Sequence, residues 1–424
     1  MARRATAADL AIDGDRLLRR LRELAEVGAD PRGGRTRLAL TDGDKTAREL
    51  VVRWLTEAGA AVRIDRIGNI HGVIQGLADL PPIATGSHID TVVSAGAYDG
   101  CYGVVAGIEV LQTLRAAGEV PRTSVAVLVF TNEEGVRFAP DLLGSRVIAE
   151  NLTLEDALVS RSSDGCEIGE ELQRIGFDGD VSPGALRPSR FVELHIEQGP
   201  MLEAEDKAIG IVEAVQGHSW WQVTVEGVAN HAGTAPMALR HDAGAAAMRL
   251  ADTLIRDAAE RGIPNVATVG MITFEPGAIN VVPGRATFTL DLRDDSPYAL
   301  RRAEQRLHEA LLRLDRAGYR TRALCTSRHE PVAFDAGLCD VLEQVAARQG
   351  LAARRMLSGA SHDAQMMARV CPSAMIFVPS HRGISHNPAE HTEPSQLVQG
   401  AQLLLHALLE LANNPEIHHA PPAL

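Results

Sequence analysis

The 424-residue sequence predicts an α/β protein: a mostly parallel sheet layered with helices, interrupted by an inserted α+β domain. Three observations predict it. Short apolar runs alternate with segments of helical period from about residue 15 to 134, the pattern of strand–helix–strand units. Near residue 215 the pattern changes to strand, helix, two strands, helix, strand, a compact unit with an open sheet. From about 330 the first alternation resumes, so both ends of the middle segment return to one domain. The length agrees, since it exceeds what one hydrophobic core usually supports.

The elements follow in order. DRLLRRLRELAEVG (15–28) and KTARELVVRWLTEA (45–58) repeat apolar residues at helical spacing, and the second stops at Gly59. AVRIDRIGNIHGVIQG and PPIATGSHID have the character of strands. VVAGIEVLQTLRAAG predicts a helix, and TSVAVLVFTNEE a buried strand. In the middle segment, HSWWQVTVEGVA alternates as a half-exposed strand does. A helix is expected over about 241–261, then strands at NVATVGMITF and RATFTLDLR, a helix over about 297–317, and a strand at TRALCTS. The last segment offers a helix at LCDVLEQVAARQG, a strand at SAMIFVPS and a final helix at PSQLVQGAQLLLHALLELA. No internal repeat or low-complexity tract interrupts this order.

Composition excludes some classes. Charge is −13, from 42 Lys and Arg against 55 Asp and Glu. That disfavours a nucleic-acid surface, which needs clustered cations, but leaves room for a small anionic substrate held by one Arg. MARRATAADL lacks the apolar run of a signal peptide, and no stretch approaches the roughly 20 apolar residues of a membrane helix. The five cysteines form no C-x-x-C pair, so reduced thiols and a cytoplasmic setting are expected.

Five segments gather histidines and carboxylates at the ends of expected strands, where open α/β sheets bind ligands: SHID (87–90), YDG (98–100), NEEG (132–135), ELHIEQGP (193–200) and GISHNPAE (383–390). A ligating imidazole usually donates its other N–H to an orienting group, and Asp90 stands two residues from His88. Asp99 lies in a Gly-rich turn before a helix; it is either a capping aspartate or a carboxylate able to bridge two ions. Neighbouring side chains in an extended segment point opposite ways, so Glu133 and Glu134 can divide ion binding from proton transfer. His195, with Glu193, Glu197 and Gln198 around it, puts polar groups in a central strand, where burial needs a reason. His386 lies in a Gly- and Pro-punctuated loop. The pair His418 and His419 at the C-terminus is given no function. Taken together the set suits two borderline divalent metals such as Zn²⁺ or Mn²⁺, with Co²⁺ or Ni²⁺ also compatible. Phosphate-binding loops and nucleophile-elbow motifs are absent.

With these residues in place, the sequence resembles the metal-dependent amidohydrolases of the M20 peptidase superfamily, in the hydantoinase/carbamoylase branch. The resemblance runs over residues 15–412 and rests on GSHIDTV, YDGCYGV, NEEGVRF, ELHIEQGP, NHAGTAPM, NVVPG, DLR, SGASHDA and VPSHRGISHNPAE, in that order. It implies a dinuclear-metal catalytic domain (1–214 and 330–424) and a lid and dimerisation domain (215–329). His88, Asp99 and His195 would hold one ion and Asp99, Glu134 and His386 the other. Glu133 would be the general base for the attacking water, and Asp90 would orient His88. His231 would polarise the scissile carbonyl, reaching a partner subunit's site in a homodimer. Gln198 would meet the ureido or amide group, Asn280 and Arg293 the substrate carboxylate, and Gly359 and Ala360 would lie near the substrate. The substrate class implied is a small carboxylate-bearing ureido or amide compound: an N-carbamoyl-L-amino acid, N-carbamoyl-β-alanine or allantoate. Aminoacylase or peptidase activity, and a non-catalytic metal-binding role, are the competing readings. Ala97 and Ser361 depart from the branch's usual glycines, and with His218 and Trp221 they leave the substrate open.

Overall fold

The computed structural model describes residues 10–414; His418 and His419 lie outside them. The chain divides into two compact units. The first runs to Glu213 and resumes at Phe334–Met356 and from Ser361 onward; the second comprises Ala214–Ala333 with Leu357–Ala360.

The first unit is built on a sheet whose middle strands are Val125–Phe130, Ile83–His88, Arg190–Ile196 and Ser373–Val378, in that spatial order and mutually parallel. Every residue of these four strands is buried, as expected where helices cover both faces of a parallel sheet. Antiparallel strands flank them: Ile70–Ile74 and then Ala61–Ile64 on one side, Ile209–Val215 on the other. The sheet is therefore parallel in its core and antiparallel toward its margins. Helices Cys101–Ala117 and Pro394–Asn413 are apolar over most of their surface because both are enclosed. Helix Gly14–Glu26, capped by Asp13, and Asp42–Glu57, capped by Thr41, keep a polar outer face.

The expected strand segments are shorter than their apolar runs. AVRIDRIGNIHGVIQG is two strands joined by a turn in which the Asp65 carboxylate accepts from the Ile67 and Asn69 N–H groups. TSVAVLVFTNEE leaves the sheet at Phe130, which puts both glutamates in a loop. Two strands, Ile209–Val215 and Ala353–Ser358, and three short helices between Leu143 and Ile175 were not expected from the sequence.

The second unit is an antiparallel sheet in the order Ile272–Glu275, Arg285–Asp294, Gly217–Glu226, Arg320–His329, with Val266–Thr268 also paired to Arg285–Asp294. Strict alternation along Arg285–Asp294 sends Ala286, Phe288, Leu290 and Leu292 inward. They pack on the apolar stripes of helices Ala243–Arg261 and Pro297–Arg316, represented by Leu250, Leu254, Leu300 and Leu307. A two-stranded piece, Asn230–His231 with Val281–Val282, stands apart from this sheet.

Candidate metal centre

Because the four middle strands of the first unit are parallel, their carboxyl ends fall on one side. His88 closes its strand, His195 stands one residue before the end of its own, Glu133 and Glu134 follow Phe130, and His386 follows Val378. Asp99 joins them from the turn that opens helix Cys101–Ala117. Gly100 makes that turn possible. Its φ is +63°, and a Cβ there would strike the His88 ring.

The side chains converge on Asp99. Its Oδ1 lies 3.2 Å from His195 Nε2 and 3.7 Å from His88 Nε2, and its Oδ2 lies 2.9 Å from His386 Nε2. Glu134 Oε2 is 3.6 Å from the same His386 nitrogen, and Glu133 Oε2 is 3.4 Å from His88 Nε2. Two sets of donors result, His88–Asp99–His195 and Asp99–Glu134–His386, each within 4.8 Å and sharing Asp99. The tautomers agree with ligation. His88 Nδ1 donates to the Asp90 carbonyl and His195 Nδ1 to the Ile196 carbonyl, both at 2.9 Å, which turns each Nε2 toward Asp99.

Asp90 differs from expectation in the atom it uses. Its backbone carbonyl, not its carboxylate, receives His88 Nδ1; the carboxylate is 3.8 Å away. That carboxylate instead accepts the N–H groups of Glu133 (3.2 Å) and Glu134 (3.3 Å), holding the glutamate loop. Asn132, at φ +55°, sharpens the same loop, and its Nδ2 donates to the Phe138 carbonyl at 2.8 Å.

Charge makes the case for cations. Asp90, Asp99, Glu133, Glu193, Asp363 and Glu390 are all buried. Burial, then Asp363 and the other acids, pushes the Glu133 carboxyl well above the usual range. Burial and Asp99 do the same for Glu134. Burial lifts Asp90 to about 7. Asp99 goes the other way: burial opposes ionisation, but hydrogen bonds and charge from His195 and His386 hold it well below the carboxylate range. Burial lowers His88 to about 4, so its imidazole is neutral and free to ligate. Glu134 Oε1 is buried without a hydrogen-bond partner. Crowded carboxylates, the neutral His88 imidazole and an orphaned oxygen fit divalent ions with N/O ligands.

A third set, Glu193–His195–His362, is also compact. Glu193 is already engaged there by Ser87 Oγ at 2.7 Å and the Ala364 N–H at 2.8 Å, which accounts for its burial without an ion.

Gln198 stands beside the centre at φ +57°. Its Nε2 donates to Asp99 Oδ2 at 2.9 Å, and its Oε1 is buried without a partner. The remaining expected residues belong to the second unit. His231 is exposed, and its Nδ1 accepts from the Gly233 and Thr234 N–H groups at 3.0 and 3.2 Å, so the proton sits on Nε2. Asn280 is next to it, since its carbonyl accepts the Ala232 N–H at 2.9 Å. Arg293 lies in the other sheet of that unit. Its Nη1 donates to the Gly359 carbonyl at 2.6 Å, and Nε and Nη2 pair with Asp291. Ala360 donates its N–H to Ser358 Oγ in the same turn.

Sequence reasoning missed Asp291, Asp363 and Glu390. Asp291 had a legible signal, because residues two apart in a strand share a face and D-L-R places Asp and Arg there. Asp363 and Glu390 lie inside quoted motifs, but their partners are distant in sequence: Ser145 for one, Tyr98 and Asp99 for the other.

The fold and this centre define a class: an α/β protein whose strand ends gather two carboxylate–histidine donor sets able to hold metal ions. The pattern of peptidase family M20/M25/M40 matches residues 84–410, and the chain belongs to that family. Among its relatives is an N-carbamoyl-L-amino acid amidohydrolase of Geobacillus stearothermophilus, 40% identical over 95% of this chain and 99% of the relative. An allantoate amidohydrolase of Bacillus subtilis is 36% identical over 92% of this chain and 95% of its own length. A solved amidase of the hydantoinase/carbamoylase family from Burkholderia multivorans superposes with a TM-score of 0.92 at 43% identity, over 95% of this chain and 99% of that one.

Proposed function

We propose that this protein hydrolyses the ureido group of a small carboxylate-bearing compound, an N-carbamoyl-L-amino acid or allantoate, with Glu133 as general base at a two-metal centre. The broader activity is that of an amidohydrolase acting on carbon–nitrogen bonds other than peptide bonds. One observation carries the reading: two ligand sets that share Asp99, with the Glu133 carboxylate beside them.

His88, Asp99 and His195 would hold one ion, and Asp99, Glu134 and His386 the other. When bound, such ions polarise a water and a carbonyl and stabilise developing negative charge. Zn²⁺ or Mn²⁺ suits the donors, with Co²⁺ and Ni²⁺ also compatible. Glu133 takes a proton from the attacking water and returns it to the departing nitrogen. Its burial among other acids favours accepting that proton. Gln198 Oε1, otherwise unpartnered, accepts from the ureido N–H groups. His231 Nε2–H donates to the oxygen on which charge develops. Arg293 and Asn280 receive the substrate carboxylate; the planar guanidinium suits it, and Asp291 fixes that plane. A carbamoyl substrate gives ammonia, carbon dioxide and the free amino acid.

Two further features enter the reading. The second unit exposes Met237, Leu239, Met271 and Ile279, which supports a homodimer formed through it, with His231 serving the partner's site. All five cysteines are free thiols, which supports a reducing, cytoplasmic setting. No helix among the described residues is long and apolar enough to cross a membrane.

The test is product analysis across a panel: allantoate, N-carbamoyl-β-alanine, several N-carbamoyl-L-amino acids and one N-acetyl amino acid. Ammonia from a ureido compound, with no acetate from the N-acetyl compound, is expected. Acetate release without ammonia would move the activity to the aminoacylase class.

A further inference from the structure

We infer that Glu390 is a positioning residue that clamps the bridging aspartate's turn to the His386 loop and thereby sets the affinity of the second metal position. The inference rests on the two-metal reading above.

The two ligand sets are not equally anchored. His88 and His195 stand within strands and are buried. His386 stands in a loop at φ +53°, its side chain 49% exposed. What ties that loop to Asp99 is a buried carboxylate. Glu390 Oε1 accepts the Tyr98 N–H at 2.8 Å and the Asp99 N–H at 3.3 Å. Its Oε2 accepts from Ser385 Oγ at 2.9 Å, the residue next to His386. One side chain, 291 residues from Asp99 in sequence, thus grips the segments of both donors. Ser385 Oγ also lies 3.4 Å from Asp99 Oδ2 and within 3.3 Å of Gln198 Nε2, so the clamp continues into the centre.

The turn is shaped to admit this carboxylate. A Cβ at Gly96 would overlap the Glu390 side chain, so only glycine leaves it room. Glu390 touches neither Glu134 nor His88 in any hydrogen bond or ion pair described above. Its influence runs through the placement of Asp99 and His386, both ligands of the second position. His88 and His195 keep their own backbone carbonyl partners, so the first position, which shares only Asp99 with the clamp, depends on it less than the second, where both Asp99 and His386 are held by it.

The experiment is calorimetric titration of chelator-stripped full-length chain with Mn²⁺, comparing wild type, Glu390→Ala and Glu390→Gln. Wild type should bind two ions. Glu390→Ala should keep the first ion within about twofold and weaken the second by about tenfold or more, roughly 1.4 kcal/mol. Glu390→Gln should restore the second ion to within about threefold, since an amide offers a carbonyl to the two N–H groups and an N–H to Ser385. Should Glu390→Ala fail to fold, Ser385→Ala reads the same clamp and should weaken the second ion alone. Two ions bound with wild-type affinities by Glu390→Ala would overturn the inference and leave the two-metal reading standing. Equal loss of both ions, or no recovery in Glu390→Gln, would also overturn it. A wild-type chain that binds fewer than two ions would sink the two-metal reading itself.

Discussion

Glu133 and Glu134 are neighbours in sequence with different proposed roles, and substitution would separate them. Glu133→Gln would remove the proposed base while leaving both ligand sets intact. It should lower kcat by about 10²–10⁴ with metal content unchanged, as measured by elemental analysis beside turnover. Asp99→Ala removes the donor common to both sets and should strip metal and activity together; an active, metal-poor Asp99→Ala chain would refute the assignment. The gathering of these residues was legible because histidines and carboxylates at strand ends have little reason to be there except chemistry. Asp90 was legible as a member of the site but not in its contacts. Whether its carbonyl or its carboxylate meets His88 depends on how the chain bends after Ile89, and no spacing encodes that.

At the scale of elements, the centre exists because four adjacent strands point the same way and release their loops at one edge. Apolar runs marked those strands well, since buried parallel strands need continuous hydrophobic sequence. Ile209–Val215 and Ala353–Ser358 escaped notice because they carry charges, Glu213, Arg354 and Arg355, that pair with one another and with their surroundings. The turn between Asp99 and helix Cys101–Ala117 is tightly constrained. Gly100→Ala would force the His88 ring aside and oppose a positive φ. It should weaken binding of the first ion by about tenfold or more while far-ultraviolet circular dichroism stays native. In the second unit, Arg293 owes its orientation to Asp291, two positions earlier on the same strand. Asp291→Asn should raise KM for carboxylate substrates by about five- to tenfold and leave kcat near wild type, whereas a substrate amide in place of the carboxylate should show no such difference.

For the whole molecule, a metal-binding centre would couple stability to pH and to metal. Burial alone would lower the His195 imidazole, but its bond to Asp99 and the charges of Asp99 and Glu193 lift it to about 9. The folded chain therefore holds this proton more tightly than an unfolded chain, whose histidine titrates near 6.5. That stabilisation is complete below about pH 6.5 and is lost as pH rises toward 9. Metal must displace the same proton, so ion binding strengthens over the same window. The Tm of metal-free protein should fall from pH 6.5 to 9, while the rise in Tm on adding Mn²⁺ should grow. A metal-induced shift independent of pH would contradict ligation by His195. The change of pattern near residue 215 and its reversal near 330 lie close to where the chain passes between the two units, although Leu357–Ala360, which carries the carbonyl that holds Arg293, clusters with the second unit despite its place in the sequence. The proposed function is that of a two-ion centre hydrolysing ureido compounds. The most direct test is ammonia release from an N-carbamoyl-L-amino acid or allantoate by chelator-stripped protein titrated with Mn²⁺. Activity should climb to its plateau as the second ion binds per chain and vanish again with chelator. Activity at full strength with one ion, or indifferent to chelator, would contradict it.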